Sequence, residues 1–221
     1  MKKIYLIVLL TISIALFLPL LFSPSLHGDN PRHLFKVHRL MEDGWKPWIK
    51  DWYAGFPFMR FYPSMSYLTA AFLGHILKSH IRGYAATLMV TSFLGALSLH
   101  TYLKKTGRDP YIAPVVFLLF PWLIWIAYFE GNFPRANTIN LSPLFLLSVY
   151  FIAEHRERYL LLSALGISLF ILTHHSIVIP PNLSGPRPPL ERGDIQKGRE
   201  HLQGWKPGDI FDGILVRPFY L

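Results

Sequence analysis

Five stretches of this chain of 221 residues, 4–22, 84–103, 111–129, 136–153 and 159–179, contain no Asp, Glu, Lys or Arg. Each is close to the ~20 residues that an α-helix needs to cross the hydrocarbon core of a bilayer. In that core every backbone amide and carbonyl must be bonded within the protein, so uncharged runs of this length point to helices. The expected fold class is all-α: a polytopic transmembrane helix bundle of about five spans, with an outer loop containing interfacial helices and an irregular C-terminal tail. The composition, 52% apolar and 15% aromatic against 16% charged, fits a membrane chain and excludes disorder over most of its length. With no cysteine present, disulfide scaffolds, thiol nucleophiles, zinc–thiolate centres and iron–sulfur clusters are excluded together.

Lys and Arg number 22 against 13 Asp and Glu, a net charge of +9. In a soluble chain this excess would suggest nucleic acid. Here the charges sit in short clusters between apolar runs, so the expected partner is membrane lipid phosphate, and no nucleic acid. Sidedness follows from the same clusters. Counting 61–77 as a further span would put Lys104, Lys105 and Arg108 on the side of the first loop, against the positive-inside tendency. With 61–77 lying in or dipping into the interface instead, Lys2 and Lys3, the 104–108 turn and the 154–158 turn all fall in the cytoplasm. The expected localisation is the cell membrane, multi-pass and with a cytoplasmic N-terminus; the loop 23–83, the short loop 130–135 and everything after 179 lie outside. A cleaved signal peptide is the competing reading of 4–22. That run exceeds the usual ~7–15 apolar residues, and Pro24 interrupts Ser23 and Ser25, so an uncleaved anchor is expected.

In the long outer loop, Asn30-Pro31 reads as a helix start and Gly44 as a stop, predicting a helix over 31–43 with Asn30 capping its free amides. Arg32, Lys36 and Arg39 recur at i, i+4 and i+7 on one face, while Leu34, Val37 and Met41 share another. Two readings stand: the cations hold a phosphate headgroup, or the helix is a generic basic amphipath resting on anionic lipid. Asp29 lies just before this helix and soon after the first span, where a lipid-linked substrate presents its phosphate; it also suits a partner of the helix dipole. Trp45, Trp48, Trp52, Tyr53, Phe56, Phe58, Phe61 and Tyr62 give the loop the aromatic density of a membrane interface.

Asp29 is followed by Gly44-Trp45-Lys46-Pro47-Trp48, Gly55-Phe56-Pro57 and Tyr62-Pro63. Glu130-Gly131-Asn132-Phe133-Pro134-Arg135 comes after the third span, and Thr173-His174-His175 closes the last. In order and sidedness this set resembles the multi-span glycosyltransferases called GT-C. It is most similar to a group of polytopic membrane proteins labelled 6-pyruvoyl-tetrahydropterin synthase-related. The resemblance covers residues 1–179 as a membrane module and leaves 180–221, with seven prolines and six glycines, as a non-membrane tail. It implies transfer of a sugar from a polyprenyl-phosphate donor to an acceptor on the outer face.

Such transfer needs a base for the acceptor's proton and positive charge to meet the departing phosphate. By resemblance, Asp29 and Glu130 are the catalytic acids: Asp29 the general base or metal-side carboxylate of the first loop, Glu130 the acid of the second. Together they would hold Mg2+ or Mn2+. Arg32, Lys36, Arg39 and Arg135 would bind the substrate phosphate, with His33, His174 and His175 lining the site. Adjacent histidines on a helix point in different directions, so at most one of His174 and His175 faces it. Arg135 as a headgroup anchor and the histidines as structural groups remain alternatives. Because the family's later spans do not follow, a truncated member is expected. The alternative function is a non-catalytic, membrane-anchored lipid-phosphate-binding protein or an inactive remnant.

Overall fold

The computed structural model describes residues 3–23, 27–46, 48–49, 55–58, 64–154 and 157–173. His174, His175, Tyr62-Pro63 and the expected tail 180–221 lie outside the described residues. The described chain is all-α apart from one two-stranded ladder.

Helix α1, Lys3–Phe17, ends where Pro19 has no amide to offer the carbonyl four residues back, and α2, Pro19–Phe22, resumes beyond the break. The Leu16 carbonyl beside this break accepts the Tyr128 hydroxyl. Helix α3 runs Asn30–Asp43 and is closed by Gly44, whose φ of 68° suits the stop read from the sequence. Strands β1, Trp48–Ile49, and β2, Phe56–Pro57, pair antiparallel with Trp48 opposite Pro57. Helix α4, Met65–Leu77, is 13 residues long. At 1.5 Å per residue it reaches about 20 Å, short of the ~30 Å hydrocarbon core. It turns at Lys78 into α5, His80–Lys105, whose first turn Ser79 caps.

Among the described residues, three helical segments are long and apolar enough to cross a membrane: α5, the stretch Ile112–Glu130, and α8, Phe133–Ala153. The middle one is broken. It consists of α6, Ile112–Leu118, α7, Pro121–Trp125, and a π-helical turn, Ile126–Glu130. Pro121 fixes the break between α6 and α7, since it cannot continue the hydrogen-bond ladder. Helix α8 keeps its path through Pro143 because the Ser142 hydroxyl donates to the Ile139 carbonyl, at 2.8 Å, that the proline cannot serve. A 3₁₀ turn, Glu157–Tyr159, leads into α9, Leu160–Thr173.

Small residues bring the helices together. A Cβ on Gly95 of α5 would lie 1.8 Å from the Asn140 carbonyl oxygen of α8, and one on Gly166 of α9 would lie 2.3 Å from Ser148 Oγ. Between α5 and α8, Thr91 donates to Asn137 Oδ1 at 2.8 Å and accepts from Asn140 at 3.2 Å. Close backbones and neutral polar links are how helices associate where lipid is as apolar as leucine.

The helices alternate in direction, which sorts the chain's polar groups into two ends. At one end Tyr5 bonds the Tyr111 carbonyl (2.6 Å), His100 the Pro110 carbonyl (2.9 Å) and Tyr150 the Lys105 carbonyl (3.4 Å). Lys104 and Lys105, in the last turn of α5, and Arg108, just beyond it, are exposed. At the other end lie α3, the π turn and the start of α8. The end of α5, the start of α6 and the end of α8 therefore lie at the same end as the start of α1.

Candidate functional site

The second end is built on a junction of two backbones. Gly28 and Gly131 both have left-handed φ, 57° and 69°, and meet without a side chain between them. A Cβ on Gly28 would fall 2.0 Å from the Glu130 carbonyl oxygen; one on Gly131 would fall 2.5 Å from the Asn30 nitrogen. This approach lets the Asp29 amide donate to the Glu130 carbonyl at 3.0 Å. The two acids expected in separate loops thus meet at one hydrogen bond.

The π turn explains how Glu130 reaches that position. In an α-helix the amides of Gly131 and Asn132 would bond the carbonyls of Ala127 and Tyr128. Here both amides go to the Ile126 carbonyl, the Asn132 bond measuring 3.2 Å. The two carbonyls left over accept the Asn30 side-chain amide at 3.3 and 3.4 Å, and the Asn30 oxygen accepts the Tyr84 hydroxyl. The capping role expected of Asn30 is therefore not what its side chain performs. Helix α3 starts at Asn30 with Asp29 at its N-cap, and neither side chain bonds the first-turn amides. Burial decides the matter: Asn30 is 1% exposed, and the carbonyls of Ala127 and Tyr128 are the partners its amide reaches.

Around the junction the charges are paired. Asp29 meets Arg32 at 3.3 Å, both side chains about half exposed. Glu130 accepts from Arg135 at 2.8 Å and from Asn132 at 3.3 Å. Asn132 also caps α8, its oxygen accepting the Arg135 amide. The sequence carried a signal for this cap in Asn132 followed by Phe133-Pro134, a capping residue with proline in the first turn.

Behind this polar rim lies a buried group. Lys36 is 5% exposed, with its ammonium 5.6 Å from the centre of the Tyr67 ring. Burial lowers its pKa to about 8, although the nearby Asp29 carboxylate favours the charged form. His33, also buried, shares a 2.6 Å hydrogen bond with the Tyr67 hydroxyl. Phe133 stacks on Tyr84 at 4.0 Å and touches the rings of His33 and Tyr67, fixing α3, α4, α5 and α8 to one another.

Of the residues named from sequence, Asp29, Arg32, Glu130 and Arg135 come together around the junction, with Lys36 and His33 buried beside it. Arg39 does not join them. It pairs with Asp43 at 3.1 Å and with Glu42 at 3.9 Å, toward the far end of α3. A hydrogen bond from Lys46 holds the Asp43 carboxyl below its ordinary pKa. His174 and His175 fall outside the described residues. Among the described residues, no three of His, Asp and Glu gather into a metal-holding group. The residues that sequence reasoning passed over are Gly28, Tyr67 and Tyr84.

These features define a helical membrane protein whose candidate site is a charged junction at one end of the bundle. The chain belongs to the family described as the 6-pyruvoyl-tetrahydropterin synthase related domain, a membrane protein family, which matches residues 59–185. The matched part carries Glu130, Asn132 and Arg135, while α3, with Asp29, Arg32 and Lys36, precedes it. No curated protein and no solved structure matches the chain.

Proposed function

We propose that the chain is a membrane glycosyltransferase of the GT-C type, moving a sugar from a polyprenyl-phosphate donor on the outer face of the membrane. The observation that carries this reading is the Asp29–Glu130 junction with buried Lys36 beside it. Acids and cations from two outer loops stand together where a lipid-linked phosphate would arrive. Asp29 takes the acceptor's proton, while Lys36, Arg32 and Arg135 meet the negative charge that develops on the leaving phosphate. Glu130 holds Arg135 in position through their 2.8 Å bond.

The two carboxylates do not fit a resident Mg2+ or Mn2+ as they stand, because each already pairs with an arginine. A cation would have to displace both guanidinium groups, and no step here depends on one. Transfer that survives chelation with EDTA is the expected result.

The test uses membranes containing the full chain and a radiolabelled polyprenyl-phosphate sugar. Transfer to endogenous acceptor that Asp29→Asn abolishes supports the reading; equal transfer by the variant excludes Asp29 as the base. One observation favours a second reading, a non-catalytic binder of lipid phosphate: Asp29 is already paired with Arg32 at 3.3 Å, so its carboxylate faces a cation of its own helix. That reading predicts salt-sensitive binding to anionic vesicles with no turnover.

A further inference from the structure

The carbonyls of Ala127 and Tyr128 in the π turn are bonded from outside it, by the Asn30 side chain. Ala127 and Tyr128 would return to their α-helical partners, the amides of Gly131 and Asn132, if the turn rewound. That rewinding removes one residue's excess from the turn and rotates the chain beyond it by roughly 100° about the helix axis. Glu130 sits at the end of the turn, so its carboxylate would leave the junction and its carbonyl would no longer meet the Asp29 amide.

We infer that Asn30 is a positioning residue: by substituting its side-chain amide for the amides of Gly131 and Asn132, it keeps the turn in the π register and so sets where Glu130 points. Three observations converge on this role. Asn30 bonds both leftover carbonyls from one nitrogen. Its oxygen is fixed by Tyr84, which orients the amide toward them. Its neighbour Asp29 bonds a further carbonyl of the same turn, that of Glu130. Docking of the first loop and the register of the π turn are then one event, and whatever lifts the loop off also re-aims Glu130.

The absence of cysteine from the chain allows two nitroxide labels to be placed without background. One replaces Phe129 in the turn and one replaces Leu146 on α8; both native side chains are exposed, at 52% and 42%. For a side chain on a cylinder 10–12 Å across, a 100° rotation is a displacement of about 8 Å. Pulsed electron spin resonance on the labelled full-length chain should give one distance. Asn30→Asp is nearly isosteric and still accepts from Tyr84, but as a carboxylate it cannot donate; it should add a second distance displaced by up to about 8 Å. Lowering the pH until the introduced carboxyl is protonated restores a donor and should restore the single distance, which a merely structural defect would not do. Tyr84→Phe removes the bond that orients Asn30 but leaves its donor in place, and should shift the distance less than Asn30→Asp does. If Asn30→Asp does not fold, Gly28→Ala serves instead, since it drives the loop off the turn with Asn30 intact and should yield the displaced distance. A single native distance in folded Asn30→Asp, or in Gly28→Ala, overturns the inference; so does a shift in Tyr84→Phe as large as that in Asn30→Asp. The measurement reads geometry and not turnover, so its failure leaves the sugar-transfer reading to its own test.

Discussion

Lys36→Met separates a cation kept for binding from one kept for stability. Folding buries the ammonium and lowers its pKa from 10.5 to about 8, a difference equivalent to about 3 kcal/mol. The sign is fixed by proton counting. Between pH 8 and 10.5 the unfolded chain holds the Lys36 proton and the folded chain does not, so stability rises with pH across that window. Below pH 8 the full net cost of the buried charge is present. Methionine keeps an unbranched side chain and removes the charge, so at pH 7 the variant should be more stable than the parent by up to about 3 kcal/mol. The gap should close as pH rises from 8 to 10.5. Thermal unfolding of both proteins in detergent, followed by circular dichroism from pH 7 to 10, measures it. Binding to vesicles carrying a phosphomonoester lipid should move the other way and weaken at pH 7. A variant less stable than the parent at pH 7, or a gap independent of pH, would refute the view that the desolvation of Lys36 outweighs its attraction to Asp29.

Gly95→Ala should lower stability by about 3 kcal/mol in the same unfolding assay, because the new methyl would meet the Asn140 backbone and force α5 from α8. Ser142→Ala leaves the Ile139 carbonyl without the donor that replaces Pro143, and should cost about 1 kcal/mol. Glu130→Gln preserves shape but weakens the hold on Arg135. In the radiolabel transfer assay it should lower the rate by up to ~10²-fold, because Arg135 is no longer held where it meets the leaving phosphate, with unfolding changed by no more than about 1 kcal/mol, as for a partly exposed ion pair.

The helices were legible from charge and periodicity, and the details of the site were not. The stop of α3 at Gly44 and the short reach of α4 follow from local chemistry: a left-handed glycine and too few apolar residues to cross a bilayer. Lys36 shows where such reasoning ends. Its spacing groups it with Arg32 and Arg39, yet α4 brings Tyr67 over Lys36 alone. Arg32 turns to Asp29, and Arg39 turns to Asp43. One helical face of three cations thus becomes three environments, and only the packing of α4 decides which cation is buried. The π turn was equally hidden, since an uncharged run through 111–129 reads as one continuous helix. Its partner, Asn30, carries a residue type that local rules assign to a cap; only a carbonyl from a distant segment can claim it instead.

The contact between Gly28 and Gly131 bears on the genetics of this chain. Most steric defects can be relieved by a second mutation that trims the neighbour, trading volume across the contact. Here the atoms that an added methyl would strike are the backbone of Phe129 and Glu130 on one side and of His27, Asp29 and Asn30 on the other. Backbone has nothing to trim. A selection for suppressors of Gly28→Ala should therefore return no compensating substitution at the facing positions, and should favour inserted residues between Phe22 and His27 that let the loop approach from farther away.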